Sequence, residues 1–320
     1  MKKNSVGAMI LRRLGQSVII LFIVTLIVFL LMQLVPGDPI INYLGPNASK
    51  EQIQYYTQLY GYDQPVIVQY VKWVLGLFHG QMGHSVTYNM EVSSVIFSRL
   101  GTTLMIVIPA FIIAVVLGIL FGIIAALNRG KAVDTIISVI ANAGMAMPLF
   151  WIGIIAILVF ALNLKILPVQ GYVSPTENVG DWLWHLIMPV GILALGPVAQ
   201  FTRQTRSSML EVVRQDYVRT AEAKGVERKT IILKHELRNA LIPIITVMGV
   251  QLGAMIGGTV LIESIFNING LGNLMITAIK SKDFMVVENG VFLIACAVAI
   301  CNLLVDILYG VIDPRIRSEQ

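Results

Sequence analysis

Long apolar runs without charge alternate with short polar ones along this chain of 320 residues. A run of about 18 or more apolar residues is long enough to cross a bilayer as a helix. The first run covers residues 14–36. It is too long for a signal peptide and no A-x-A site follows it, so it predicts a retained membrane helix. Pro36-Gly37-Asp38-Pro39 cannot continue a helix and marks its end. Further runs at 100–127, 135–162, 182–202, 240–262 and 289–312 predict five more spans. Pro148 is a candidate kink in the third, and Pro189 and Pro197 lie inside the fourth. The pattern predicts an all-α membrane protein with six transmembrane helices.

The segments between the runs have patterns of their own. Residues 37–98 read as one separate segment with short helices. Ser49-Lys50-Glu51-Gln52 fits a capping box, and Gly61 is the expected stop. After Pro65, the residues Val66, Tyr70, Trp73, Val74 and Leu77 make one apolar stripe, expected to pack on the outer ends of the membrane helices. His79 and His84 follow on a glycine-rich loop at a spacing that gives a weak metal signal, and no metal site is expected. The remaining boundaries are a segment at 1–13 and a five-helix core at 99–320. Within the core, a polar loop at 203–239 is the longest charged run.

Charge then orients the map. The chain is 56% hydrophobic and 13% charged, with mean hydropathy +0.79 and pI near 9.2. Of its 23 Lys and Arg, six (Lys50, Lys72, Arg99, Lys165, Lys280, Lys282) fall on one side of the six-span map. The rest cluster at the N-terminus, at Arg129 and Lys131, in the 203–239 loop, and at Arg315 and Arg317. Cationic loops stay cytoplasmic, so both termini and the polar loop are expected there. Dispersal of these charges between spans argues against nucleic acid as the partner. Cys296 and Cys301 share one apolar run and read as packing residues.

The stretch from Asp216 to Pro243 reads as helix, turn, helix. Met209, Val213, Tyr217 and Ala221 predict one packed face. Gly225 is the expected stop, because glycine takes a left-handed backbone at little cost. Two readings stand side by side. The basic residues suit an anionic lipid surface. Ala221, Ala223 and Gly225 would instead form a small-residue tip that enters a protein groove, with the charges of Arg228 and Lys229 mattering less.

Few polar groups interrupt the spans. Asn142, Thr246, Gln251 and Thr259 are candidates to line a path, and Asn302 and Asp306 lie in the last span. Asp306 reads as part of a local structural pair. Glu263, Asn267, Gly270 and Gly272 are candidates for an outer gate, although a water-facing position is the simpler expectation for Glu263. Gly249, Gly253 and Gly257 make a close-packing face, for a contact inside the chain or between subunits. No phosphate-binding glycine loop, paired histidines or serine nucleophile motif is present, so no catalytic residue and no bound cofactor is expected.

The chain resembles the inner-membrane permease subunits of ABC importers of the dipeptide/oligopeptide/nickel type. The likeness rests on VPGDP, on YGYDQPVIVQYVKWVLG, on FGIIAALNRGKAVD, on the whole stretch from DYVRTAEAKG to VLIESIF, on GLGNLMITAIKSKDFMVV and on NLLVDILYGVIDPRIR. It implies a type I importer permease fold in a bacterial cytoplasmic membrane. The 203–239 loop would be the coupling loop, with Arg219, Thr220, Ala221, Glu222, Ala223, Lys224 and Gly225 docking on an ATPase subunit. The family signature begins Glu-Ala-Ala, and here Arg219-Thr220-Ala221 stands in its place, so a salt bridge from that glutamate does not carry over. The implied partners are a second related permease, one or two ABC ATPases holding ATP and magnesium, and an extracytoplasmic solute-binding protein. Peptides would be the cargo, with nickel chelates, glutathione or another small solute as alternatives. A secondary transporter or a membrane scaffold is the reading from another class.

Overall fold

The computed structural model describes residues 6–45 and 47–312; Lys2, Lys3, the side chain of Asp306 and the tail from 313 lie outside it. The described chain is almost entirely helical. In order it has α1 (Val6–Leu34), α2 (Pro39–Leu44), α3 (Lys50–Tyr60), α4 (Val66–Phe78), and the two-residue strands β1 (His84–Ser85) and β2 (Met90–Glu91). Then come α5 (Val92–Leu127), α6 (Ala132–Ala146), α7 (Leu149–Ala156), α8 (Val179–Val212), α9 (Asp216–Ala223), α10 (Arg228–Thr230), α11 (Arg238–Ile265), α12 (Leu271–Ser281) and α13 (Phe284–Ile312). Wide π-helical turns extend α7 (Ile157–Asn163) and join α10 to α11 (Ile231–Leu237).

Among the described residues, five helices are long and apolar enough to cross a membrane, and α6 with α7, bent by 102°, counts as a sixth where the pair is taken as one span. The bend sits at Pro148, where the sequence places a kink. Proline has no N–H to donate and disfavours helix in the residue before it. Met147 is accordingly extended (φ −80°, ψ 130°). Several helices run beyond their apolar cores. α5 starts at Val92 rather than 100, and α8 reaches Val212 rather than 202: residues 92–99 and 203–212 interrupt the apolar runs with polar side chains yet are helical.

The chain divides into two compact units: residues 1–13, 105–268 and 300–320 in the first, and residues 14–104 and 269–299 in the second. In the first unit, α8 is the central element, packed by α6, α7 and α11. The close approach of α5 to α8 comes from two glycines one turn apart. A Cβ on Gly118 would lie 2.4 Å from the Cβ of Phe201, and one on Gly122 would lie 2.4 Å from the Cβ of Thr205. Small residues four apart let helix backbones meet closely in a membrane. Phe201 is fully buried there and stands edge-on to Phe111. The predicted glycine face on α11 is only partly used in the same way. Gly249 packs on Val305, whereas Gly257 faces open space.

In the second unit, Ser49 caps α3 with its side chain on Gln52, and Gly61 ends that helix with φ +73°, both as expected. α4 packs along the flank of α1 rather than at its outer end. Tyr70 meets Phe22 and Phe29, and its hydroxyl lies 3.1 Å from that of Thr25. Trp73 stacks on Phe29 and donates to Asn289. The stripe is apolar along its length, so nothing confines it to the end of α1; Val66 alone of its members is left exposed. A buried cluster of Met32, Val92, Ile96, Leu271, Leu274, Phe284 and Val287 joins α1, α5, α12 and α13. Asp283 locks the short strand pair to the start of α13. It accepts from the Ser85 hydroxyl (2.6 Å), the Thr87 N–H (3.0 Å) and the Val286 N–H (3.4 Å).

Candidate functional site

The polar hairpin lies within the first unit. α8 stops at Val212, residues 213–215 turn, and α9 begins at Asp216. That turn resets the helical register. The predicted face of Met209, Val213, Tyr217 and Ala221 is therefore not one face: Met209 and Ala221 are buried, but Tyr217 is 42% exposed and Val218 takes the inward position. Val218, Ala221 and Ile231 form a small core, with Val212 and Val226 against it. Gly225 has φ +73° and makes the turn, as the sequence predicts. A second cluster of Ala126, Met209 and Ala240 fixes the base of the hairpin.

Burial of Ala221 changes the description of the tip. Ala221 faces the hairpin's own core and holds α9 against Ile231, so it is not available as a contact with another protein. Arg219, Thr220, Glu222, Ala223, Lys224 and Gly225 are exposed and make up the outer surface.

One ion pair braces this arrangement. Arg228 donates to Glu236 at 2.8 Å and to Glu222 at 3.1 Å. Glu236 is fully buried, and its second carboxylate oxygen has no hydrogen-bond partner. An isolated buried carboxylate is costly, so a partner that is both charged and hydrogen-bonding is needed at this position. Arg228 therefore ties α9, through Glu222, to the π-helical turn that leads into α11. In the sequence the Arg228 charge reads as having a lesser part, and this tie is not foreseen. The wide turn itself sits where the polar hairpin joins the apolar span, and such turns are frequent at functional sites.

A second ion pair anchors the preceding polar turn. Arg206 on α8 holds Asp134 on α6 with two hydrogen bonds, at 2.5 and 2.8 Å, and Asp134 also accepts from the Gly130 N–H. Asp134 is buried. A bidentate arginine–carboxylate pair fixes geometry as well as charge.

The path candidates do not share one environment. Asn142 and Thr246 are exposed, and Gln251 is half-buried. Thr259 is buried, and its hydroxyl donates to the Ile256 carbonyl of its own helix at 2.7 Å. Thr246 belongs to a continuous exposed stripe on α11 with Val250, Ala254, Gly257 and Leu261. The gate candidates fall in both units. Glu263 is fully buried, not water-facing, and its carbonyl accepts from the Ile268 N–H. Asn267 is exposed in a left-handed turn (φ +50°), and the adjacent Phe266 carbonyl accepts from Gly171. Gly270 precedes α12 and is buried, as is Gly272 in its first turn. His79 and His84 bind backbone carbonyls through Nδ1.

Comparison with known proteins places this geometry. The family profile described as binding-protein-dependent transport system inner membrane component matches residues 118–318. The profile for the N-terminal part of such membrane components matches residues 7–107. A Bacillus subtilis protein named oligopeptide transport system permease protein is 37% identical over 314 residues, covering 97% of this chain and 99% of its own. A Brucella abortus protein named for a peptide transport system permease is 40% identical over 312 residues, covering 98% and 99%. Among solved structures, a chain of the inward-facing MetNI methionine ABC transporter matches with TM-score 0.57 at 15% identity, covering 68% of this chain and 96% of that one. That likeness concerns the fold.

Proposed function

Because the chain belongs to the family of binding-protein-dependent transport system inner membrane components, we propose that it is one permease subunit of an ATP-driven peptide importer. The observation that carries this reading is end-to-end similarity to a named oligopeptide permease at 37% identity. The chain would sit in a bacterial cytoplasmic membrane with the hairpin inside, as the bias of basic residues supports. ATP and magnesium would be held by separate ATPase subunits, and cargo would arrive on an extracytoplasmic binding protein.

A second, related permease would complete the path. The exposed face of α11 supports this, because Thr246, Val250, Ala254, Gly257 and Leu261 are exposed along it and a Cβ at Gly257 would meet open space. Small and weakly polar residues suit a helix that closes on another helix or borders a path. Thr246 and Gln251 on α11 and Asn142 on α6 would be the polar contributions to it.

The hairpin would transmit the ATPase cycle. ATP can shift a permease only through contacts that differ between its two states. A braced lever is a means of carrying that difference, and the Arg228–Glu236 tie supplies the brace. The exposed residues from Arg219 to Gly225, without Ala221, would be the docking surface.

Reconstitution tests the reading. With a second permease, ATPases and binding protein in vesicles, labelled di- or oligopeptide should accumulate only with ATP and the binding protein. Preference for nickel chelate or glutathione would redirect the cargo. Uptake by this chain alone would overturn the importer reading in favour of a secondary transporter.

A further inference from the structure

The second unit contains a cavity of about 440 Å³ whose wall includes Phe29, Tyr62, Gln64, Lys72, Trp73 and Glu288. Three of these present polar groups with nothing to bind. Glu288 is only 3% exposed, and among the described residues no hydrogen bond or ion pair reaches its carboxylate. The Tyr62 hydroxyl and the Gln64 side-chain oxygen are buried without a hydrogen-bond partner. Buried polar groups are normally satisfied, and each exception calls for an explanation. Burial beside the acidic Glu288 and Asp283 pushes the Tyr62 phenol up, so its hydroxyl stays neutral.

The unmet groups are mostly acceptors, and one is a carboxyl that a bound cation would hold in its ionised form. The missing partner is therefore a cation with several N–H donors. A bare metal ion fits poorly, because no group of three His, Cys, Asp or Glu occurs among the described residues. An organic cation suits the wall better, because Phe29 and Trp73 border the cavity. Trp73 is held in place by its hydrogen bond to Asn289.

We propose that this cavity binds a primary ammonium group, with Glu288 as counter-ion and Tyr62 and Gln64 as hydrogen-bond partners. Two sources share that chemistry: the free amino terminus of a small peptide, and the ethanolamine headgroup of a lipid. The site belongs to this chain alone and does not depend on the importer reading.

The test uses the full chain in nanodiscs of phosphatidylglycerol. Labelled dialanine is titrated by equilibrium dialysis, with N-acetyl-dialanine as the control that lacks the ammonium. Phosphatidylethanolamine is offered in a second series and followed by native mass spectrometry. For a peptide site, dialanine should bind saturably, the acetylated form should not, and Glu288→Gln should weaken binding at least tenfold. For a lipid site, phosphatidylethanolamine should be retained by the wild type and lost from Glu288→Gln. Tyr62→Phe removes only an unsatisfied hydroxyl and should fold normally, so it provides a second reading with a smaller loss. Absence of saturable binding by either probe, or binding unchanged in both variants, would overturn the proposal.

Discussion

Arg228 donates to Glu236 at 2.8 Å, and the pair is lopsided: Glu236 is fully buried while about half of the Arg228 side chain meets solvent. The buried member sits in a π-helical turn, and the exposed member reaches across to α9. The hairpin thus depends on a charge that looks superficial in the sequence.

Removal of the arginine should therefore loosen the hairpin. Arg228→Ala leaves Glu236 buried and unpaired, a change that costs about 3 kcal/mol where a buried pair is broken. Limited trypsin digestion should cleave faster after Lys224 and Lys229 in this variant. Adding Glu236→Gln to Arg228→Ala should recover part of the protection, because the neutral amide is less costly to bury. Unchanged digestion would show that the pair does not brace the hairpin.

The contact of α5 with α8 gives a stability prediction. A methyl group at Gly122 would meet the Thr205 side chain and the Thr202 carbonyl at 2.4 and 2.8 Å. Overpacking of this kind typically costs about 1–3 kcal/mol. Gly122→Ala should lower the melting temperature of the detergent-solubilised chain, and Gly257→Ala, which faces open space, should not.

The turn at Gly225 isolates a backbone effect. An added Cβ there meets nothing within 4 Å, but φ is +73°. Gly225→Val should cost about 1–3 kcal/mol through strain alone. Gly225→Asn should be tolerated better, because asparagine visits the left-handed region. Comparison of the two by trypsin digestion checks this.

Gly225 was legible because a left-handed turn between two helical patterns has few other solutions. The bend at Pro148 and the cap at Ser49 were legible for similar local reasons. Ala221 was misread as part of an outward tip because its orientation depends on the turn at 213–215. Residues 213–216 hold no proline or glycine to mark a break, so they read equally well as an unbroken helix. The ties Arg228–Glu236 and Asp134–Arg206 were not legible: the first spans a π-helical turn that the sequence does not announce, and the second joins two separate helices. A faint signal existed for the second: Asp134 and Arg206 are charges placed next to long apolar runs. Burial of Glu263 was missed because a carboxylate at the end of a span usually meets water.

Orientation can be checked by labelling. Gln58 and Lys229 are both exposed. Single cysteines at these sites, on a background without Cys296 and Cys301, should react with an impermeant reagent from opposite sides of the membrane. Labelling from the same side would contradict the proposed topology.

The exposed face of α9 is proposed to dock on an ATPase and to carry its motion into the membrane helices. Ala223→Trp tests it most directly, because Ala223 is exposed and Ala221, on the inner side, is left intact. The measurement is ATP hydrolysis stimulated by cargo-loaded binding protein in the reconstituted complex. Stimulation should be lost while expression, helix content and trypsin resistance of the hairpin stay normal. Normal stimulation in Ala223→Trp, together with its loss on neutralising Lys224 and Lys229, would contradict docking and favour a hairpin that lies on anionic lipid.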